Sequence, residues 1–185
     1  MILPQRAFAL IRHGETDANR DGIIAGRTEA QLTECGRRAA RALAGKSFGQ
    51  PIMLFTSPQA RARATALLAF PSLSAYVVDD LRERDWGIYE GRPIADLPLR
   101  TSTPEGGEAW QATLTRMAAA IGQGMTLAGG NLPVIVAHSG VIRAARALTG
   151  YDATGPSAPN TTPLLYTHAT GQWHEHPLVA EGTFS

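Results

Sequence analysis

Cysteine, lysine and long apolar runs are what this 185-residue sequence has least of. Its one cysteine, Cys35, excludes an intramolecular disulfide and fits a reducing compartment. No stretch approaches the roughly 18 apolar residues of a membrane helix. The longest apolar run near the N-terminus, Ala7 to Ile11, is too short for a signal-peptide core. A soluble, cytoplasmic protein is expected. Excess charge is missing as well. The net charge is +1, with 14 Lys+Arg against 11 Asp+Glu in residues 1–100 and 3 against 5 in residues 101–185. Neither half has the basic excess of a nucleic-acid groove, so neither nucleic acid nor a membrane is expected as a partner. Lys46 is the only lysine among 17 basic residues; the other 16 are arginine. That bias reads either as codon usage or as a demand for oxyanion binding, since arginine presents a rigid donor fork to phosphate or carboxylate. Position has to decide.

Hydrophobic residues at 44% and charged residues at 18% suit a globular chain and exclude disordered, collagen-like and coiled-coil classes. The length predicts one domain over residues 1–185 that buries roughly 70% of its unfolded-chain surface. Apolar runs at Arg6–Ile11, 51–56, Ala75–Val78 and 133–137 read as strands. Helices are predicted over 33–44 with Thr33 as N-cap, 58–69 with Pro58 in the first turn, 107–128 with a break near Gly122 and Gly124, and 140–149. A long connection, 79–106, is rich in charge, glycine and proline. Leu164–Thr167 and Gln172–His176 close the chain as strands around a Thr170-Gly171 turn. The alternation predicts an α/β fold, a three-layer α/β/α sandwich with a mainly parallel central sheet.

In such sheets ligands bind beyond the carboxyl ends of the strands. The first strand runs into Arg12-His13-Gly14-Glu15-Thr16, the second into Ser57-Pro58-Gln59-Ala60-Arg61, and the 133–137 strand into His138-Ser139-Gly140. Parallel strands would bring Arg12, His13, Arg61 and His138 to one rim. Two guanidiniums and two imidazoles make an anion site that suits phosphate. Ser139 and Gly140 open a helix whose N–H groups are expected to add to it. A neutral His13 can attack phosphorus, with Gly14 expected to leave room for substrate. A carboxyl must then protonate the departing oxygen. Spacing alone leaves Glu83, Asp85 and Glu90 as candidates.

The motifs Arg12-His13-Gly14-Glu15-Thr16 followed by Asn19, Thr56-Ser57-Pro58 with Arg61-Ala62, Leu81-x-Glu83-x-x-x-Gly87-x-x-Glu90-Gly91, and Ala137-His138-Ser139-Gly140-Val141-Ile142-Arg143 together resemble the histidine phosphatase superfamily, which includes the cofactor-dependent phosphoglycerate mutases. The resemblance implies a phosphoglycerate mutase-like fold. It implies His13 as the phosphorylated nucleophile, Arg12, Arg61 and His138 as holders of the phosphoryl oxygens, and Asn19 as a further phosphate contact. Glu83 becomes the acid/base carboxylate, and Asp85 and Glu90 become loop residues. No metal and no cofactor are expected.

Several positions depart from the family pattern. Glu29 stands where aspartate is usual and Gln31 where proline is. Gln59 replaces a leucine, Ala64 a glutamine, and His138-Ser139-Gly140 replaces His-Gly-Gly. The Pro104-Glu105-Gly106-Gly107-Glu108 stretch resembles the phosphatase branches, of which the α-ribazole phosphatases are the nearest suggestion. The resulting expectation is a phosphomonoester hydrolase acting on a small phosphorylated metabolite through a phosphohistidine. A mutase-type phosphotransferase and a non-catalytic phospho-ligand binding module are the alternatives. A homodimer stays open.

Overall fold

The computed structural model describes residues 2–178. Six strands form one sheet: β1 (Phe8–Arg12), β2 (Ile52–Thr56), β3 (Tyr76–Val77), β4 (Leu132–Ala137), β5 (Pro163–Ala169) and β6 (Gln172–Pro177). Their order is β3-β2-β4-β1-β5-β6. The first four are parallel, and β5 and β6 run antiparallel, so the sheet is mainly parallel as expected. The β5–β6 turn is Thr170-Gly171, with φ of 52° and 79°. Two consecutive positive φ values match the twist of a tight hairpin.

The helices are α1 (Asp17–Arg20), α2 (Glu34–Arg41), α3 (Ala60–Ala69), α4 (Trp110–Leu127) and α5 (Ser139–Thr149). They cover both faces of the sheet. Phe8 and Leu10 of β1, with Ile135 and Ala137 of β4, pack against Met117 and Ile121 of α4 and Val141 and Ile142 of α5. Their neighbours Ala9, Ile11, Val134 and Val136 point the other way, onto Ala62 and Ala66 of α3. This period-2 alternation between two apolar layers explains why β4 is buried along its whole length.

Some local expectations need correction. The 107–128 helix begins only at Trp110 and runs unbroken through Gly122 and Gly124. A Cβ at Gly124 would lie 3.8 Å from Phe55 and Ile135, so this glycine marks close helix–sheet packing. Pro58 precedes α3, whose N-cap is Gln59. Thr33 does cap α2, but the helix stops at Arg41, ahead of Gly45. The four-residue α1 was not foreseen. A capping box makes it: Thr16 accepts from the Asn19 N–H, and the Asn19 side chain accepts from the Thr16 N–H. The 79–106 connection is organised by three short 3₁₀ turns, at Asp79–Leu81, Gly87–Tyr89 and Ile94–Asp96. Among the described residues no helix is long and apolar enough to cross a membrane.

Candidate active site

The sheet register brings three chain segments to one rim. Arg12 closes β1 opposite Ala137, the last residue of β4, while Thr56 at the end of β2 lies opposite Val136. The ladder continues one step further. The His13 N–H donates to the Ala137 carbonyl at 2.9 Å, and the Ser57 N–H donates to the Val136 carbonyl at 3.0 Å. His13, Ser57 and His138 therefore leave the sheet side by side.

The His13 and His138 rings lie 5.2 Å apart at 61°. His13 Nδ1 is 2.8 Å from the Gly14 carbonyl. A carbonyl only accepts, so Nδ1 carries the hydrogen and Nε2 keeps its lone pair. Burial, and then the positive charge of Arg61, pushes the His13 pKa down to about 3. Burial and the same guanidinium hold His138 well below the usual imidazole range. Both rings are neutral at physiological pH.

Arg12 donates from Nη1 to the Ala158 carbonyl at 3.0 Å. Arg61, in the first turn of α3, grips the preceding loop through the Thr28 carbonyl at 2.9 Å and the Gly26 carbonyl at 2.6 Å. It is buried, unlike the exposed Arg63 two positions on. His138 Nε2 sits 2.7 Å from Ser57 Oγ, while its Nδ1 has no partner. Among the described residues, the buried side-chain nitrogens and oxygens without a hydrogen-bond partner are three: Arg12 Nε, His138 Nδ1 and Arg143 Nε. Arg12 and Arg143 line a cavity of about 200 Å³ together with His13, Asn19, Arg61 and Glu83. Buried donors left unpaired cost about 1–3 kcal/mol each. Arg12 Nε and Arg143 Nε, brought to one cavity, fit the oxygens of an anion.

Of the three carboxyl candidates, only Glu83 lines this cavity. Asp85 instead pairs with Arg27 at 3.3 Å. Glu90 accepts from the backbone of Arg27, Thr28 and Trp86, and so ties two loops together. Glu83 makes no ion pair with its sequence neighbours. Arg82 pairs with Asp80, and the Arg84 side chain donates to the carbonyls of Arg100, Ser102 and Glu108. The Glu83 backbone is held at both ends. Its N–H donates to Gln59 Oε1 at 2.7 Å, and its carbonyl accepts from Arg116 Nη2 at 3.2 Å.

Gly140 lines the cavity, and its N–H, expected at the phosphate, donates to Glu83 Oε2 at 3.0 Å. Gly14 has a role other than the one expected. Gly14 faces the backbone of Gly36, where a Cβ would come within 2.7 Å of the carbonyl oxygen. Its smallness therefore serves chain packing, not substrate access. Ser139 does line the cavity, with its hydroxyl 3.2 Å from Ser157 Oγ. Asn19 lines it too. Its Oδ1 accepts from Thr16 and from Asn160 Nδ2, which also holds the His13 carbonyl at 2.7 Å.

Arg116, Asn160 and Arg100 stand outside the motifs and carry no sequence signal of a role here, whereas Arg143 lies within one motif and Gln59 marks a departure from another. The signal for Gln59 was present: a polar side chain where an apolar one is usual must find partners if buried, and here it has three. No group of three or more His, Cys, Asp or Glu placed to hold a metal ion occurs among the described residues.

Comparison with known proteins bears on the family and the fold. The model of the histidine phosphatase superfamily (branch 1) matches residues 8–175. "Probable phosphoglycerate mutase GpmB" of Klebsiella pneumoniae is 33% identical over 145 residues, 70% of this chain and 67% of that protein. "Metal-independent phosphoserine phosphatase" of Arabidopsis thaliana is 32% identical over 157 residues, 74% of this chain and 66% of that one. The crystal structure of an Escherichia coli protein, provisionally described as an alpha-ribazole-5'-P phosphatase, superposes with a TM-score of 0.78 at 25% identity, covering 95% of this chain and 96% of that one. With the family model spanning most of its length and the fold shared, the chain belongs to the histidine phosphatase superfamily.

Proposed function

We propose that the protein is a metal-independent phosphomonoester hydrolase that works through a phosphohistidine on His13. One observation carries this reading. A buried imidazole, neutral and with its Nδ1–H fixed on the Gly14 carbonyl, shares a cavity with two clamp arginines and one carboxyl. His13 Nε2 attacks phosphorus in line, forming the N–P bond as the ester P–O bond breaks. Glu83 gives its proton to the departing alkoxide. Glu83, now ionised, takes a proton from water. That water attacks phosphorus, the N–P bond breaks, its electron pair returns to Nε2, and phosphate leaves.

Arg12, Arg61 and His138 Nδ1–H hold the equatorial oxygens in this scheme, with Asn19 as a further donor and Ser139 at the cavity wall. For His138 to donate from Nδ1, Ser57 must donate its hydroxyl hydrogen to Nε2. The short contact between them allows it. The donor set itself favours chemistry without a metal: four guanidiniums and a single carboxylate line the cavity, and hard divalent cations need several anionic oxygens. A cavity of about 200 Å³ lies below the usual range for drug-sized ligands and suits a small ester.

The test is phosphate release from an aryl phosphate with a chelator present. Wild type turns over and His13→Ala does not. A mutase-type transferase, the reading suggested by the mutase-named relative, would instead move the phosphoryl group to a second substrate without net phosphate release.

A further inference from the structure

The two peptide units that flank His13 are pinned at both ends. In the first, the His13 N–H donates to the Ala137 carbonyl, and the Arg12 carbonyl accepts from the Thr161 N–H at 2.9 Å. In the second, the Gly14 N–H donates to Thr65 Oγ1 at 2.9 Å, and the His13 carbonyl accepts from Asn160 Nδ2 at 2.7 Å. Both carbonyl partners come from one corner of the chain. The pairing of β1 with β5 ends at Ile11 and Pro163, and Pro163 has no N–H. Beyond that pair Asn160 and Thr161 supply the donors.

The corner is strained. Thr161 has a φ of 55°, which a β-branched residue rarely adopts. Thr170, the other non-glycine residue with positive φ among the described residues, sits in the β5–β6 turn. At Thr161 the unusual backbone aims a side chain and an N–H at consecutive carbonyls of the site. Strain of this kind persists where surrounding contacts over-determine it.

Asn160 also decides which way Asn19 faces. The Thr16 N–H can only donate, so the Asn19 atom 3.2 Å from it is Oδ1. Asn160 Nδ2 donates to the same oxygen at 3.2 Å. With Oδ1 holding two donors, Asn19 keeps its Nδ2 for the cavity that it lines. Asn160 is not among the residues lining that cavity, so it acts through its neighbours.

We propose that Asn160 is a positioning residue for the reaction: it holds the His13 peptide so that Nε2 stays aimed at phosphorus, and it turns the Asn19 amide donor toward the phosphoryl oxygens. The inference rests on the phosphohistidine reading of this site.

The test compares Asn160→Ala with Asn160→Asp on an aryl phosphate, with melting temperatures taken alongside. In Asn160→Ala, kcat falls by up to about a hundredfold, the cost of displacing a reacting group by about an ångström, while KM moves less than about threefold because the arginine clamp remains. Asn160→Asp keeps the shape but sets a carboxylate acceptor against two acceptor oxygens, so its kcat falls below that of Asn160→Ala. A side chain that only filled space would give the opposite order. The ring ¹⁵N spectrum of His13 reads the same contact without turnover: wild type shows the neutral form with its hydrogen on Nδ1, and Asn160→Ala shows exchange between the two neutral tautomers. With wild type turning over, an unchanged kcat in Asn160→Ala, or an Asn160→Asp kcat above it, overturns the positioning role and leaves the hydrolase reading standing. No wild-type turnover, with the tautomer shift present in Asn160→Ala, refutes the hydrolase reading and leaves Asn160 as the residue that positions His13. No wild-type turnover and no shift refute both.

Discussion

The carboxylate of Glu83 rests on the first turn of α5, with Oε2 3.0 Å from the Gly140 amide nitrogen. A Cβ at position 140 would collide with Oε1. The glycine is therefore what lets the Glu83 loop touch the helix that follows the second histidine.

Gly140→Ala tests that contact. Alanine favours a helix over glycine by roughly 0.5–1 kcal/mol, so the melting temperature holds or rises. The displaced Glu83 costs kcat about a hundredfold, the lower end of the range for a general acid. Steady-state kinetics with thermal melts of the same protein check it. Loss of stability without loss of kcat would contradict the account.

Gln59 is the next test. It bridges the Glu83 N–H and the Gly26 carbonyl, which Arg61 also holds. Gln59→Leu leaves the partly buried Glu83 N–H without its partner, while Arg61 still holds the Gly26 carbonyl, so the cost is about 1 kcal/mol of stability. Since Glu83 and not the phosphoryl clamp loses its support, kcat falls more than KM rises. Denaturant unfolding and kinetics measure the two effects.

The histidines set a pH dependence of stability. Unfolded, each takes a proton near 6.5. Folded, His13 does so only near 3, and His138 is held well below its usual range. The unfolded state therefore binds more protons through that interval, and stability falls as pH drops below the unfolded value. From pH 7 to pH 5 the loss through His13 is about 2 kcal/mol, and His138 adds to it in the same direction. His13→Asn makes the slope of stability against pH shallower. An unchanged slope would mean that His13 is not held neutral by the fold.

Inorganic phosphate should raise the melting temperature. The folded protein alone presents the buried, unpartnered Arg12 Nε at the cavity for such an anion to accept from. At one hundred times its dissociation constant the gain is about 2.7 kcal/mol. Arg12→Met or Arg61→Met removes most of the shift, which scanning calorimetry reads directly.

The parts legible in the sequence were those with short-range causes. Continuous apolar runs marked β1, β2 and β4, and the polar residues directly after them marked the rim. The rest depended on contacts between distant segments. Glu83 could not be told from Asp85 and Glu90 by spacing, because what separates them is the Gly140 amide 57 positions on and the loop at Arg27 and Thr28. Gly140 read as a phosphate contact because a helix N-terminus attracts any anion, and the anion that reaches it here is a side chain of the same protein. Gly122 and Gly124 read as a helix break because propensity ignores the packing of Gly124 on Phe55 and Ile135. Arg100 carried no local signal, since it lies in an irregular segment positioned by Arg84.

The most direct test of the central claim is to trap the covalent intermediate. The protein is mixed with a phosphorus-labelled ester, quenched in alkali within a turnover, and mapped by mass spectrometry. The account predicts label on His13, stable in alkali, lost in acid, and absent from His13→Asn. Turnover with no acid-labile label on His13, or label on another residue, would contradict it.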